Sequence, residues 1–195
     1  MHWEVFQEFE RICATRGAGG DVLEIGAVAL PDSLLCLEAL AKARSKIGID
    51  FSAPSAFRDF RILQANANDM RCFPDASFDT VLSNSVLEHD PFFWRTLAEV
   101  RRVARPGALI AIGVPGFTKL SFERVVARMG RLPLAGRLLS GLSASTLALQ
   151  LHHYPADYYR FSARAVEEVL LQNLQDTEVR TLMLPPRIIG VGRMP

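Results

Sequence analysis

Cysteine and histidine are scarce in this chain, and neither sign of charge prevails. The three cysteines, Cys13, Cys36 and Cys72, lie far apart, are odd in number and include no CxxC spacing. That pattern argues against a disulfide framework or a zinc site and for reduced thiols in a cytoplasmic protein. Four histidines supply no metal set either: His2 is terminal, His89 stands alone, and His152 and His153 have no third ligand at a familiar spacing. The 22 basic and 21 acidic side chains leave a net charge of +1 with no long run of one sign, so the balance offers no electrostatic case for a nucleic-acid partner. The opening MHWEVFQEFE has no basic segment followed by an apolar core, and no secretory signal is visible in it. The most apolar stretch outside the strands, Leu132 to Leu151, is broken by Gly136, Arg137, Ser140, Gly141, Ser143, Ser145 and Thr146. A bilayer span needs about 20 predominantly apolar residues, so a helical cap over a pocket is the preferred reading and no stable membrane insertion is expected.

What the chain does have is an alternation of short apolar runs with longer amphipathic stretches. Val22, Leu23 and Ile25 predict a first strand, Leu34 to Ala43 a helix, Ile47 to Ile49 a second strand, and Ile62 to Leu63 a third. Trp3 to Cys13 predicts a helix ahead of them. Thr80 to Leu82 is an apolar run ending abruptly in Ser83, Asn84 and Ser85, as expected of a strand buried on both faces whose carboxyl end opens into a polar site. Pro91 opens an amphipathic helix carrying Phe92, Phe93, Leu97, Val100 and Val103, which Arg105, Pro106 and Gly107 end before a strand over Leu109 to Val114. Ala165, Val166, Val169, Leu170 and Leu174 mark a late helix capped by Ser162. Thr177 to Leu184 and Arg187 to Val191 then read as an antiparallel edge. The fold class expected is α/β: a doubly wound, mostly parallel, Rossmann-like sheet with a helical cap insertion. With 195 residues one domain is expected, with an N-terminal helix over 1–20, a core over 21–115, a cap over 116–160, and a last helix and edge strands over 161–195.

On such sheets ligands sit at the carboxyl ends of the strands. The first strand exits through Glu24-Ile25-Gly26-Ala27-Val28-Ala29, and Asp50 ends the second strand 22 residues after Val28. That is close to the roughly 20-residue spacing at which an acid reaches the hydroxyls of a ribose, whereas the alternative for Asp50 is a turn or capping residue before Ser52.

FPDASFDTV at Phe73 to Val81, SVLEH at Ser85 to His89, and EVRRVARPGALI at Glu99 to Ile110 resemble, in that order, the class I S-adenosylmethionine-dependent methyltransferases of the type 11 domain branch. The resemblance covers about Asp21 to Pro115, and Asp157 to Ser162 adds a further match. It implies a Rossmann-like methyltransferase fold, S-adenosyl-L-methionine as cofactor, and a small-molecule or sugar-like acceptor. It also implies site roles. Glu24 would face the methionine amino group, often through water, and Gly26, Ala27 and Val28 would line the methionine portion. Asp50 would hold the ribose with Phe51 against the adenine or ribose. Asn66, Ala67 and Met70 would lie near the adenine amino group, with Asp69 the competing candidate in a shifted register. Asn84 and Ser85 would present backbone groups beneath the sulfonium.

His89, at the mouth, reads either as a helix-start residue hydrogen-bonded to backbone or as a general base; His152 and His153 read as a solvated loop or, His153 in particular, as a base. Tyr154, Tyr158 and Arg160 are the candidates for substrate binding, although Tyr158 is equally a packing residue and Arg160 equally a partner for Asp157. The family pattern ExGxGxG is broken by Val28 and Leu30, and a β-branched Val28 is expected to intrude toward the carboxylate end of the cofactor. The alternative function is therefore a catalytically inactive methyltransferase-like binding or scaffold protein, with both side chains filling the old cavity. A nicotinamide-dependent oxidoreductase is disfavoured, because the turn lacks GxGxxG and no tyrosine precedes a lysine by four.

Overall fold

The computed structural model describes residues 1–117 and 157–195. The expected cap, and with it His152, His153 and Tyr154, lies outside the described residues except at its two ends.

Hydrophobic pattern and strand length together set the sheet. β1 (Asp21–Ile25), β2 (Ser45–Asp50), β4 (Phe60–Gln64), β5 (Phe78–Asn84) and β6 (Ala104–Pro115) run parallel. β3 (Ser55–Phe57) pairs antiparallel with β4 at one edge, and β8 (Arg187–Arg193) and β7 (Gln175–Leu182) close the other edge antiparallel. The order among the described residues is β3-β4-β2-β1-β5-β6-β8-β7. The central strands are buried on both faces, which is why they read as continuous apolar runs rather than as alternation.

Helices cover both faces. α1 (Trp3–Arg16) buries Val5, Phe9, Ile12 and Cys13 on one face against Val22, Leu82, Leu109 and Ala111. It ends at Gly17, whose φ of 64° gives the left-handed stop that a residue with a Cβ rarely adopts. α2 (Phe93–Val103) sits on the opposite face, burying Leu97, Val100 and Val103 in one cluster with Val81, Ile110 and Ile112. α3 (Ala163–Ala165) continues as a π-turn over Val166–Leu170 on that same face. Its start is capped as expected, the Ser162 hydroxyl accepting the Ala165 N–H at 3.0 Å.

Three expectations are corrected. Leu34 to Ala43 is not an α-helix but two 3-10 turns, Leu34–Cys36 and Glu38–Leu40, joined through Leu37 in an extended conformation. Leu34, Leu35, Leu37 and Leu40 are all at most 1% exposed, and these positions do not share one face of a 3.6-residue helix, so the chain breaks the helix to bury all four. Phe92 and Val169, assigned to apolar faces, are both 46% exposed; in the late segment the π-turn re-aims the side chains and Leu171 takes up the packing. β6 begins at Ala104, directly after α2, so the Arg105-Pro106-Gly107 stop lies inside the strand as a solvent-facing irregularity.

Candidate functional site

A cavity of about 830 Å³ opens over the carboxyl ends of β1, β2 and β5, within the size range of small-molecule sites. Of the residues selected from the sequence, Gly26, Val28, Asp50, Phe51, Asn66, Ala67, Ser85, His89 and Arg160 stand in its wall.

The exit of β1 forms one side. Gly26 has φ 76°, and a Cβ there would collide with the Val86 side chain. The Gly26 and Ala27 N–H groups both donate to the Ile49 carbonyl, at 2.9 and 3.1 Å, so this turn is pinned to β2 rather than free to follow a ligand. Val28 is 42% exposed on the wall and Leu30 is 54% exposed; neither closes the cavity. Asp50 follows at the tip of β2. One carboxylate oxygen accepts the Ser52 N–H at 2.8 Å, as the turn reading expects, and the residue also stands in the cavity wall. Phe51, 72% exposed, presents an unusually open aromatic face beside it. β5 ends in Ser85, whose φ of 57° is uncommon for a residue with a Cβ and is held by its N–H bond to the Gly113 carbonyl at 2.9 Å.

Several residues are placed elsewhere. Glu24 is 2% exposed and turns from the cavity to the 3-10 turn, where it receives the Ser33 hydroxyl and the N–H groups of Leu34 (3.1 Å) and Leu35 (3.3 Å). Burial outweighs these bonds and pushes its carboxyl up to about 7. The reason for its direction is strand parity: Glu24 shares a face with Val22, the face under α1. Ala27 is buried against the backbone of Gly48. Met70 is fully buried in the core, its N–H donating to Glu99 at 2.6 Å and its carbonyl accepting from Arg102 at 2.9 Å. Asn84 is outside the wall and donates to the Ser85 hydroxyl at 3.2 Å. Tyr158 is 54% exposed and likewise outside it, while Asp69 pairs with Arg71 at 2.6 Å, which leaves Asn66 and Ala67 as the register on the cavity. His89 ends the turn Leu87–His89, its N–H donating to the Val86 carbonyl at 2.9 Å. Arg160 is paired with both carboxylate oxygens of Asp157.

Wall residues that sequence reasoning passed over are Asn68, Glu88 and Asp90. Asp90 accepts Asn68 Nδ2 at 2.6 Å, Thr96 Oγ1 at 2.7 Å and the Phe92 N–H at 2.8 Å, so it ties the loop after β4 to the start of α2. An aspartate just before Pro91 was a readable cap signal. Among the described residues no group of three histidine, cysteine, aspartate or glutamate side chains could hold a metal ion, and no helix is long and apolar enough to cross a membrane.

Residues 32–112 match the family model described as a methyltransferase domain. No curated protein matches the sequence. Among solved structures, a possible exported protein from Bordetella parapertussis is 12% identical, with 98% of this chain and 67% of that one covered and a TM-score of 0.66. The Burkholderia thailandensis 1,6-didemethyltoxoflavin-N1-methyltransferase, solved with bound 1,6-didemethyltoxoflavin and S-adenosylhomocysteine, is 17% identical over 97% of this chain and 77% of that one, with a TM-score of 0.65. An S-adenosylmethionine-dependent methyltransferase from Archaeoglobus fulgidus is 14% identical over 97% and 93%, also with a TM-score of 0.65. At these identities the likeness is one of fold, and its substrates do not transfer. Strand order and these neighbours show the fold of the class I S-adenosylmethionine-dependent methyltransferases, and the match over 32–112, which spans less than half of the chain, bears out the resemblance seen in the sequence.

Proposed function

We propose that the chain is a methyltransferase that uses S-adenosyl-L-methionine and acts on a small-molecule or sugar-like acceptor. The observation that carries this reading is Asp50 at the tip of β2, standing in the wall of an 830 Å³ cavity beside the exposed ring of Phe51. The donor set suits an adenosyl group. One oxygen of Asp50 is engaged by the Ser52 N–H at 2.8 Å, and the carboxylate retains acceptor capacity for a diol. Phe51 supplies a face for a heteroaromatic ring. Asn66 and Ala67, which line the cavity, would bound the adenine end, and Gly26, Val28 and Ser85, which also line it, the methionine end.

The cofactor supplies a methyl group already activated by its positive sulfur. The chain's part is then to align the acceptor and exclude water, not to create a strong nucleophile. His89 lies in the wall on the side of Pro91 and Phe92 and is the candidate to accept a proton there; His153 is the second candidate. Arg160, being paired with Asp157, shapes the acceptor side as half of an ion pair. We place the protein in the cytoplasm on its cysteine usage.

Isothermal titration with S-adenosylhomocysteine tests the reading. Wild-type protein is expected to bind, and Asp50→Ala to bind more than about tenfold more weakly, the loss of about 1.5–3 kcal/mol for hydrogen bonds to a charged acceptor. A wild-type chain that does not bind refutes the cofactor assignment; an unchanged affinity in Asp50→Ala removes Asp50 from the site.

A further inference from the structure

Three buried or half-buried carboxylates at the strand tips can be compared by what reaches them. Glu24 receives a hydroxyl and two backbone N–H groups. Asp90 receives a side-chain amide, a hydroxyl and a backbone N–H. Both are satisfied from within, as structural carboxylates in a protein interior are. Glu88 is the exception. It is 3% exposed, and its Oε2 has no hydrogen-bond partner among the described residues.

The usual structural uses do not account for this side chain. It caps no turn: the Leu87–His89 segment has no side-chain cap bond. Its contact with His89, Oε1 to Nε2, is 3.9 Å, beyond hydrogen-bond reach. Arg160 is occupied by Asp157. The backbone of Glu88 is nonetheless held firmly, its carbonyl accepting the N–H groups of Tyr158 at 2.8 Å and Tyr159 at 3.3 Å. A rigid backbone thus fixes an acid with an unpartnered Oε2 in the wall of the cavity, which His89, Pro91 and Arg160 also line. An unmet buried acceptor of this kind is costly to keep and is a mark of a ligand contact.

We infer that Glu88 is a specificity residue for the methyl acceptor, receiving an N–H or O–H donor that the acceptor carries into the cavity. The inference rests on the methyltransferase reading above and deepens it. It defines the acceptor class as a small molecule with an amino or hydroxyl group at the end that meets Glu88, and it disfavours acceptors that present only hydrocarbon there. Burial favours the neutral form of Glu88, opposed by a bond from its own backbone N–H and then by His89, Arg187 and Arg160 acting through space, so that both charged and uncharged donors fall within the class.

The test uses the full chain, saturated with S-adenosylhomocysteine, and three fragments of one shape: benzylamine, benzyl alcohol and ethylbenzene. Ligand-observed NMR gives their relative affinities for wild type, Glu88→Gln and Glu88→Met, and thermal unfolding gives the stability of each. Wild type is expected to prefer the two donors over ethylbenzene by about tenfold or more. In Glu88→Met that preference should fall below about threefold while the melting temperature rises, because an unpaired buried acid is replaced by an apolar side chain of similar length. Glu88→Gln, which keeps a carbonyl acceptor, should retain benzyl alcohol and lose benzylamine. Equal binding of all three fragments by wild type, a preference that survives in Glu88→Met, or a fall in melting temperature in that variant overturns the inference. Failure of wild type to bind S-adenosylhomocysteine would instead strike the cofactor reading, and the same fragment series run without it would still decide on Glu88.

Discussion

Glu24 offers a quantitative check on how the strand tips are built. The carboxyl is wholly buried, and burial dominates the three donors that reach it, pushing it from 4.5 up to about 7. In the unfolded chain the group ionises near 4.5. Between these two values the native state holds a proton that the unfolded state has released, so stability falls as pH rises through that window. Below about 4.5 both states are protonated and the contribution is complete; above about 7 both are ionised and it has been lost. At about 1.36 kcal/mol per unit, a shift of roughly 2.5 units corresponds to about 3 kcal/mol. Glu24→Gln does not titrate, and its one oxygen can accept from the Leu34 N–H or from the Leu35 N–H but not from both in place, a loss that is the same at every pH. Urea unfolding of both proteins at pH 4.5, 5.5, 6.5 and 7.5 should therefore show the variant gaining on wild type by about 3 kcal/mol across the series. Working with the difference cancels Asp21, held low first by Arg44, and Asp79, held low first by the Asp21 N–H and then by Arg105, both of which make the chain less stable toward acid. Parallel curves for the two proteins would refute the reasoning and place the Glu24 carboxyl in contact with water.

Two further outcomes can be measured with little effort. Gly26→Ala should destabilise the chain by about 1–2 kcal/mol from its positive φ alone. It should also displace Val86, so that S-adenosylhomocysteine binding weakens by calorimetry and a second change, Val86→Ala, recovers part of the loss. Asp90→Ala should cost about 2–4 kcal/mol in urea unfolding, because it leaves the O–H of Thr96, which is 0% exposed, without its acceptor and removes one of the two bonds made by Asn68 Nδ2, the other, to Thr96 Oγ1 at 2.9 Å, remaining. An unfolding midpoint equal to wild type would mean that water replaces Asp90 at no cost.

Much of the sheet was legible because β1, β5 and β6 are buried on both faces, and a double-sided burial leaves an unbroken apolar run in the sequence. α1 and α2 were legible for the matching reason, one apolar stripe at helical spacing. β3 was not: three largely exposed residues, Ser55, Ala56 and Phe57, carry no periodicity and are a strand only because β4 offers them a free edge. The Leu34 to Leu40 stretch misled because four leucines suggest a helix wherever they occur, and their burial on more than one side is a property of the assembled α1 and β1 surfaces.

At the site, the sequence by itself determined that polar and small residues end the strands, that an acid stands at position 50, and that the later motifs follow in a methyltransferase order. Those are facts about which residue types occur at which spacing, and spacing along a strand fixes which tip a residue reaches. Only the tertiary structure decided where each side chain points. Strand parity and the pinning of the β1 exit to Ile49 turn Glu24 and Ala27 away and leave Gly26, Val28 and Asp50 on the cavity. Whether a carboxylate is satisfied depends on donors brought from distant parts of the chain. Asp90 meets Asn68 and Thr96, whereas Oε2 of Glu88 meets no donor among the described residues. No local pattern encodes that difference, because the donors arrive through packing and not through neighbourhood in sequence.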